Sequence, residues 1–425
     1  MLGIKEIVKN KEEIEKRLRT KDPSISLDTV TTLYEDVCKR KTQLEALQSE
    51  ANRISKEIGE KKQKGLDAGV EFDKVASLKK EIHTLSSALP PIEKDFEYAL
   101  SLLPNIPDKE IKVSLEPKDN VCIKTVGHKR EFSFAPKNHL ELGESLGLFD
   151  FKRGAKITGS GWPIYTALGA RLEWALLNLM IESNQANGFT FLMLPHLVRS
   201  DIMYASGQLP KFGSQLFKLD DEDYPLYLIP TAEVAINGLH YDEILDKKEL
   251  PKLYCSYTPC FRREAGGAGK NERGLIRIHQ FNKVELFAFT TPEESDAIFE
   301  KILTSAEAIL EKLELHYRNM LLVTGDMSFG ASRTVDIEVF LPGQERYYEV
   351  SSVSNCRDFQ ARRSKTRFRD DEDKKEFVHT LNGSGLATSR LMVSLLENNQ
   401  NEDGTVTLPK ALHKALGQTT LSPKK

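Results

Sequence analysis

Two short segments concentrate residues that could do chemistry together. Arg262 and Glu264 lie two apart at the end of one apolar run, and Arg277, His279, Phe281, Lys283 and Glu285 alternate through the next. If both runs are strands, residues two apart share a face, so the polar set lines one side while Ile276, Ile278, Val284 and Leu286 pack on the other. Such a face suits a nucleotide: arginines contact phosphates, an aromatic ring stacks on a base, and glutamates accept from amino groups. The AGGAGKNERG stretch, 265–274, reads as a mobile connection between the strands. A third segment, NGSGLATSR at 382–390, sets two glycines before a predicted helix with Arg390 about one turn inside it, where the helix N-terminus and a full positive charge would act together on phosphate. The same residues also fit blander readings, a solvated sheet face with surface ion pairs and an ordinary glycine turn.

The surrounding sequence must position these groups. Leu168, Leu172, Leu176 and Leu179 form one stripe of a helix over about 165–185, followed by the strand-like run FTFLMLPHLV. Strand patterns dominate 224–289 and 334–354, a helix is expected over roughly 292–320, and a last helix starts near Leu386. Strands joined by loops rather than alternating with helices predict an antiparallel β-sheet with flanking helices, an α+β domain over 105–425.

Residues 1–104 read differently. Val30, Val37, Leu44, Ala51 and Ile58 recur every seven residues, and Val75, Ile82, Leu89, Phe96 and Leu103 repeat the pattern after the short joint KKQKGLDAGVEFD. Two long helices in an antiparallel α-helical coiled-coil hairpin over about 28–103 follow, the first near 55 Å at about 1.5 Å per residue. Pro90-Pro91 falls inside the second helix and should bend or interrupt it. PNIPDK after Leu103 reads as a linker.

With 425 residues, 40% hydrophobic and 29% charged, and a formal net charge of −3, the chain is an ordinary globular protein with no overall basic character, so any nucleic-acid contact must be local. Five cysteines without a CxxC pair argue against a disulfide framework or a zinc ribbon and for a reducing cytoplasm. No run approaches the ~18 apolar residues of a membrane span, and the first residues match neither a signal nor a transit peptide.

CFRREAGGAGKNERGLIRIHQFNKVELF, 260–287, resembles motif 2 of class II aminoacyl-tRNA synthetases in the form found in seryl-tRNA synthetases. IPTAEVAING at 229–238, RYYEVSSVSNCRDFQARR at 346–363 and NGSGLATSRLMVSLLENNQ at 382–400 are similar to further segments of that family, the last to motif 3. The helix before NGFTFLMLPHLV resembles motif 1, with Pro195 as its proline, and the heptad arm resembles the family's tRNA-binding coiled coil. Arg263 and Val353 depart from the family's usual small polar residue and cysteine. No HIGH, KMSKS or GxxxxGK[ST] stretch occurs, which excludes the Rossmann-type synthetases and P-loop enzymes.

The resemblance implies a serine–tRNA ligase that uses ATP and Mg²⁺, with L-serine, tRNA(Ser) and also tRNA(Sec) as partners, a homodimer joined through motif 1. It implies ATP contacts from Arg262, Arg263, Glu264, Arg277, Phe281, Glu349, Val350, Ser351, Ser352 and Arg390, with Arg262 and Arg390 catalytic. Glu349 and Ser352 would hold the metal, although Asp336 and Glu338 offer another oxygen pair. Serine would meet Thr231, Ala232, Glu233, Arg262, Glu285 and Ser384. Near the arm's tip Arg53, Lys56, Lys61, Lys62 and Lys64 would face tRNA, in an arm that otherwise carries 12 Lys and Arg against 14 Asp and Glu between 28 and 100. The rivals are a related ligase that loads a carrier protein and a scaffold whose catalytic domain is inactive. The arm speaks against the first, the complete nucleotide clamps against the second.

Overall fold

A computed structural model describes residues 1–264 and 274–424, so most of the AGGAGKNERG connection lies outside the described residues. The chain divides into two compact units: residues 2–19 with 23–104, and residues 105–425 together with 1 and 20–22.

In the first unit the heptads become two paired helices, α1 (Asp28–Gln63) and α2 (Gly69–Ser101). Val30, Val37, Ala51, Ile54 and Ile58 of α1 and Val75 and Leu89 of α2 are buried, while Leu44, Leu47, Ile82 and Leu85 are half-buried. A two-helix seam has only one layer to cover it, which explains why half its apolar positions keep some exposure. Helix α2 runs as one element through Pro90 and Pro91, so the feared interruption does not occur. Both prolines are exposed, as are Ser86 and Ser87, whose carbonyls lose their intrahelical donors and face water instead.

The second unit is built on one sheet of eight strands among the described residues: β1 (Val121–Val126), β2 (Thr190–Leu192), β3 (Lys252–Phe261), β4 (Gln280–Thr290), β5 (Tyr317–Leu321), β6 (Arg333–Leu341), β7 (Arg346–Asn355) and β8 (His379–Ala387). Their order across the sheet is β1-β5-β6-β7-β8-β4-β3-β2, and every neighbouring pair is antiparallel except β2 with β3. Four helices matter for the site: α3 (Leu168–Ala186), α4 (Ala232–Asn237), α5 (Ser295–Lys312) and α6 (Thr388–Asn398).

Strand β4 shows how the sheet is used. Its residues from Lys283 to Thr290 are all buried, so both faces are covered. Val284, Leu286 and Ala288 enter the large core with Leu172 and Leu176 of α3 and Phe299 and Ile302 of α5. Phe287 and Phe289 point the other way, against Ala232 and Ile236 of α4. Helix α4 therefore caps only one end of this second face. The other end, carrying Phe281, Lys283 and Glu285, opens into a cleft.

Several boundaries differ from the sequence expectation. Strand β4 begins at Gln280, not Leu275, because Gly274–Ile276 forms a 3-10 turn. The helix expected over 292–320 stops at Lys312, and β5 follows, since Tyr317 and Asn319 bury on alternate positions. The helix near Leu386 is not the last, for Lys410–Leu416 forms another. The glycines of NGSG lie inside β8 rather than in a turn: a Cβ on Gly383 would come within 2.5 Å of Ile302, and one on Gly385 within 2.8 Å of Asn184. Those glycines serve close packing of the sheet on α3 and α5, not a phosphate loop.

Candidate active site

The cleft is built on neighbouring strands β3, β4, β8 and β7 and on the start of α6. A buried carboxylate joins three of its supports: Glu173 of α3 accepts from Asn282 Nδ2 of β4 at 2.9 Å and from the Thr388 hydroxyl at the start of α6. Burial raises the Glu173 pKa to about 7, with the two hydrogen bonds opposing. Helices α3 and α6 are thereby fixed to strand β4.

Two connected cavities open on this frame. One of about 180 Å³ is lined by Arg262, Glu264, Ile276, Arg277, Ile278, Phe281, Tyr348, Glu349, Val350 and Arg390 among others. A second, of about 500 Å³, includes Thr231, Glu233, Glu285, Ser352, Gln360 and Asn382. Arg262, Lys283, Glu349 and Ser384 line both.

The first cavity is cationic, with Phe281 in its wall. Strand pairing continues past β3, because the Arg262 N–H donates to His279 O at 2.9 Å, and this holds the arginine beside Phe281 with its guanidinium 5.3 Å from the ring centre. Glu264 and Arg277 form an ion pair at 2.8 Å. Arg390, the third residue of α6, sits 3.3 Å from Glu349 Oε2 and donates to the Glu349 carbonyl at 3.1 Å. Three guanidinium groups around a slot with an aromatic wall make a site for a polyphosphate nucleotide. Ile276 and Ile278, expected on the packing side only, also line the slot, because they precede the strand and escape its alternation.

The second cavity is anionic at its base. Thr231 caps α4, its hydroxyl accepting from the Glu233 N–H at 3.2 Å and donating to Glu285 Oε2 at 3.1 Å. Glu233 is held by Gln360 Nε2 at 2.6 Å and Asn382 Nδ2 at 3.1 Å. Burial, then repulsion from Glu285, raise the Glu233 pKa to about 7. Lys283 donates to Thr231 Oγ1 at 2.9 Å and is paired with the Glu285 carboxylate. Two carboxylates, a hydroxyl and small walls can receive a compact ammonium compound that also carries a hydroxyl.

Glu349 and Ser352 are three apart, which in a regular strand would put them on opposite faces. A register shift in the β6–β7 ladder leaves Val350 without a partner, and the alternation resets so that both residues line the larger cavity. Behind them Asp336 pairs across the ladder with Ser352, and its Oδ1 is buried without a hydrogen-bond partner among the described residues. Burial and the Glu349 carboxylate hold Asp336 well above the usual carboxylate range. A carboxylate, a hydroxyl and an orphaned oxygen behind them fit a hard cation completed by phosphate and water. Glu338, the alternative partner, is committed to Arg318 at 2.7 Å. No group of three or more His, Cys, Asp or Glu with ligand geometry occurs among the described residues.

Other expected residues stay outside the cavities. Arg263 is exposed, and its N–H donates to Gln215 O. Ala232 is buried in α4, and the Ser351 hydroxyl is spent on the Ser384 carbonyl. His279 is packed rather than poised: its ring lies 5.5 Å from that of Trp162 and its Nδ1 is 3.0 Å from the Arg262 carbonyl. Of the arm residues, Arg53 is tied to Glu50 and Glu57 and Lys61 to Glu71, while Lys62 lies 4.8 Å from the centre of the Phe72 ring. Sequence reasoning set Lys283 on the polar face but gave it no role, and it passed over Tyr348, Gln360 and Asn382. Their signal was position only, two residues from Phe281 and Glu285, or within the same motifs.

Comparison with known proteins agrees with this geometry. Residues 1–107 match the seryl-tRNA synthetase N-terminal domain, and residues 217–399 match the tRNA synthetase class II core domain (G, H, P, S and T). The serine–tRNA ligase of Chlamydia felis is 51% identical over 417 residues, 98% of each chain, and that of Chlamydia abortus 50% identical over 424 residues, the full length of both. The crystal structure of seryl-tRNA synthetase from Pyrococcus horikoshii complexed with ATP superposes with a TM-score of 0.93 at 37% identity, covering 100% of both chains. The cytoplasmic serine–tRNA ligase of Naegleria fowleri in complex with AMP gives 0.85 at 27% identity, over 98% of this chain and 96% of that one. With a cationic slot and an anionic pocket meeting at Arg262, and full-length relatives at half identity, this chain belongs to the seryl-tRNA synthetases of class II.

Proposed function

We propose that this chain activates L-serine with ATP and transfers the seryl group to the 3′ end of tRNA(Ser), with the second cavity as the serine site and the first as the ATP site. The observation that carries the reading is the shared lining of the two cavities by Arg262, which supports a role for its guanidinium between an amino-acid carboxylate and an α-phosphate. The carboxylate is ionised at neutral pH and attacks the α-phosphorus as the bond to pyrophosphate breaks, the leaving group taking the electron pair. No proton need move, so the protein's work is positioning and neutralising charge.

In this reading Phe281 stacks on adenine, Glu264 accepts from its amino group, Arg277 and Arg390 hold the outer phosphates, and Thr231, Glu233, Glu285 and Ser384 receive serine. Glu264 and Arg277 part from each other as the nucleotide enters. Arg263, Val350 and Ser351 support the nucleotide site through backbone and neighbours. Glu349 and Ser352 would hold Mg²⁺, which when bound neutralises phosphate charge. A Glu285 left without a substrate hydroxyl disfavours alanine.

The division of labour follows the chain: residues 1–104 as the tRNA-gripping domain, with Lys56, Lys62 and Lys64 beside Arg53 and Lys61 at the RNA, and 105–425 as the catalytic domain. The reading extends to tRNA(Sec), to a homodimer joined through α3, and to the cytoplasm; no helix among the described residues is long and apolar enough to cross a membrane. Pyrophosphate exchange with a panel of amino acids tests the assignment. Exchange should require serine and fall by about 10²–10³ in Arg262→Ala; exchange unchanged in that variant would defeat the assigned chemistry.

A further inference from the structure

Lys283 is 6% exposed, and its ammonium is committed to the two groups that the serine site offers most directly, the Glu285 carboxylate and, at 2.9 Å, the Thr231 hydroxyl. We propose that Lys283 is a further catalytic residue: in the unliganded enzyme its ammonium stands on Glu285 and Thr231 in place of the substrate's own donors, and serine displaces it toward the forming carboxyl–phosphate bond.

Strand β4 acts as a ruler for this placement. Phe281, Lys283 and Glu285 share one face, and residues two apart on a strand are about 7 Å apart. Phe281 faces the nucleotide slot and Glu285 the serine pocket, so the residue between them stands over the junction where the two substrates react. The cavities agree, since Lys283 is among the four residues that line both. The other cation of that junction, Arg262, is held from the opposite strand, with its Nε 3.3 Å from the Pro230 carbonyl.

Charge explains why a lysine rests where serine should. Glu285 lies close enough to oppose ionisation of Glu233, and burying two carboxylates with no cation is costly. Lys283 supplies that cation while the pocket is empty. Serine brings its own ammonium and hydroxyl, which can take over Glu285 and Thr231, and the lysine's four-carbon stem can then turn without leaving the strand. Its ammonium meets the charge that builds on the α-phosphate oxygens as the serine carboxylate attacks and pyrophosphate departs. The lysine keeps its proton throughout, so the step balances as written above. A purely structural ion pair would instead stay closed through the reaction.

The inference rests on the serine and ATP placement proposed above, and failure of that placement would show separately, as exchange that does not require serine or that survives Arg262→Ala. With wild-type exchange established, Lys283→Met should lower kcat for serine-dependent exchange about 100-fold with the KM for serine unchanged or lower, and Lys283→Arg should recover about tenfold of the loss. A kcat within about threefold of wild type, or a serine KM raised about tenfold at preserved kcat, would overturn the proposal. Where a variant fails to fold, the wild-type enzyme crystallised with a sulfamoyl analogue of seryl-adenylate decides the matter. Lys283 Nζ should lie within hydrogen-bond distance of the sulfamoyl oxygens, and Nζ still seated on Glu285 would sink the idea.

Discussion

The helical hairpin and strand β4 bury their residues by opposite rules. Along α1 and α2 a buried residue comes about once per heptad and its neighbours face water, whereas β4 buries eight residues in succession, two of them charged. In the hairpin, apolar residues do the packing and charged ones stay outside, in pairs such as Lys41–Glu93 and Lys61–Glu71. In β4 the charged residues go inside, where Lys283 and Glu285 pair with each other. A region that only needs to hold a shape can follow one simple pattern. A region that must bind polar substrates accepts buried charge, and its stability rests on complete pairing.

The largest effect should come from removing one region and leaving the other. Every residue lining the two cavities falls between Ser206 and Arg390, so deletion of 35–95 should leave serine-dependent pyrophosphate exchange near the wild-type rate. Charging of tRNA(Ser) should fall below detection, by more than about 1,000-fold, if the arm supplies most of the backbone contacts. Measuring both reactions on one preparation checks it, and equal loss of both would break the proposed separation.

The same contrast explains what was legible beforehand. The hairpin could be read to within a few residues because heptad spacing needs no tertiary information, and the one expected break that does not occur is an interruption at Pro90-Pro91, where Ser86 and Ser87 are exposed. In the sheet, element types were legible but boundaries were not: Leu275–Ile278 alternates like a strand yet forms a turn and an irregular approach, and Tyr317–Leu321 was taken into the preceding helix. The shared face of Glu349 and Ser352 depends on a bulge at Val350 that no periodicity announces. Arg262, Phe281 and Glu285 were legible as one face because β4 is regular across its last two. Lys283 was legible on that face but carried no role, because nothing in the sequence shows that it is buried against Glu285 and Thr231.

A smaller effect should separate buried from exposed carboxylates. Glu233 is raised to about 7 in the folded protein, so its charged form weighs against the empty fold as pH rises through that value, while a substrate ammonium gains its partner over the same window. The KM for serine should therefore fall roughly tenfold between about pH 6 and about pH 8, and Glu233→Gln should flatten the profile at the weaker value. A wild-type KM that stays level across that range would remove Glu233 from the serine site.

The smallest effect tests the arm, where charge lies outside. Lys61 of the proposed RNA-facing set is held by Glu71 at 2.7 Å, and Arg53 by Glu50 and Glu57. A phosphate must compete with those acids, so removing one acid should help RNA, the reverse of what losing a useful ion pair does to a fold. Because the pair is only half-buried and within reach of solvent ions, its loss should cost little stability. Glu71→Gln should lower the KM for tRNA(Ser) by about two- to threefold at low salt, with the advantage shrinking as salt rises, and should leave pyrophosphate exchange unaltered. Lys61→Ala should move the same KM the other way. If both substitutions weaken charging alike, the pair serves to hold α1 against α2, and the RNA contact lies with Lys56, Lys62 and Lys64 instead.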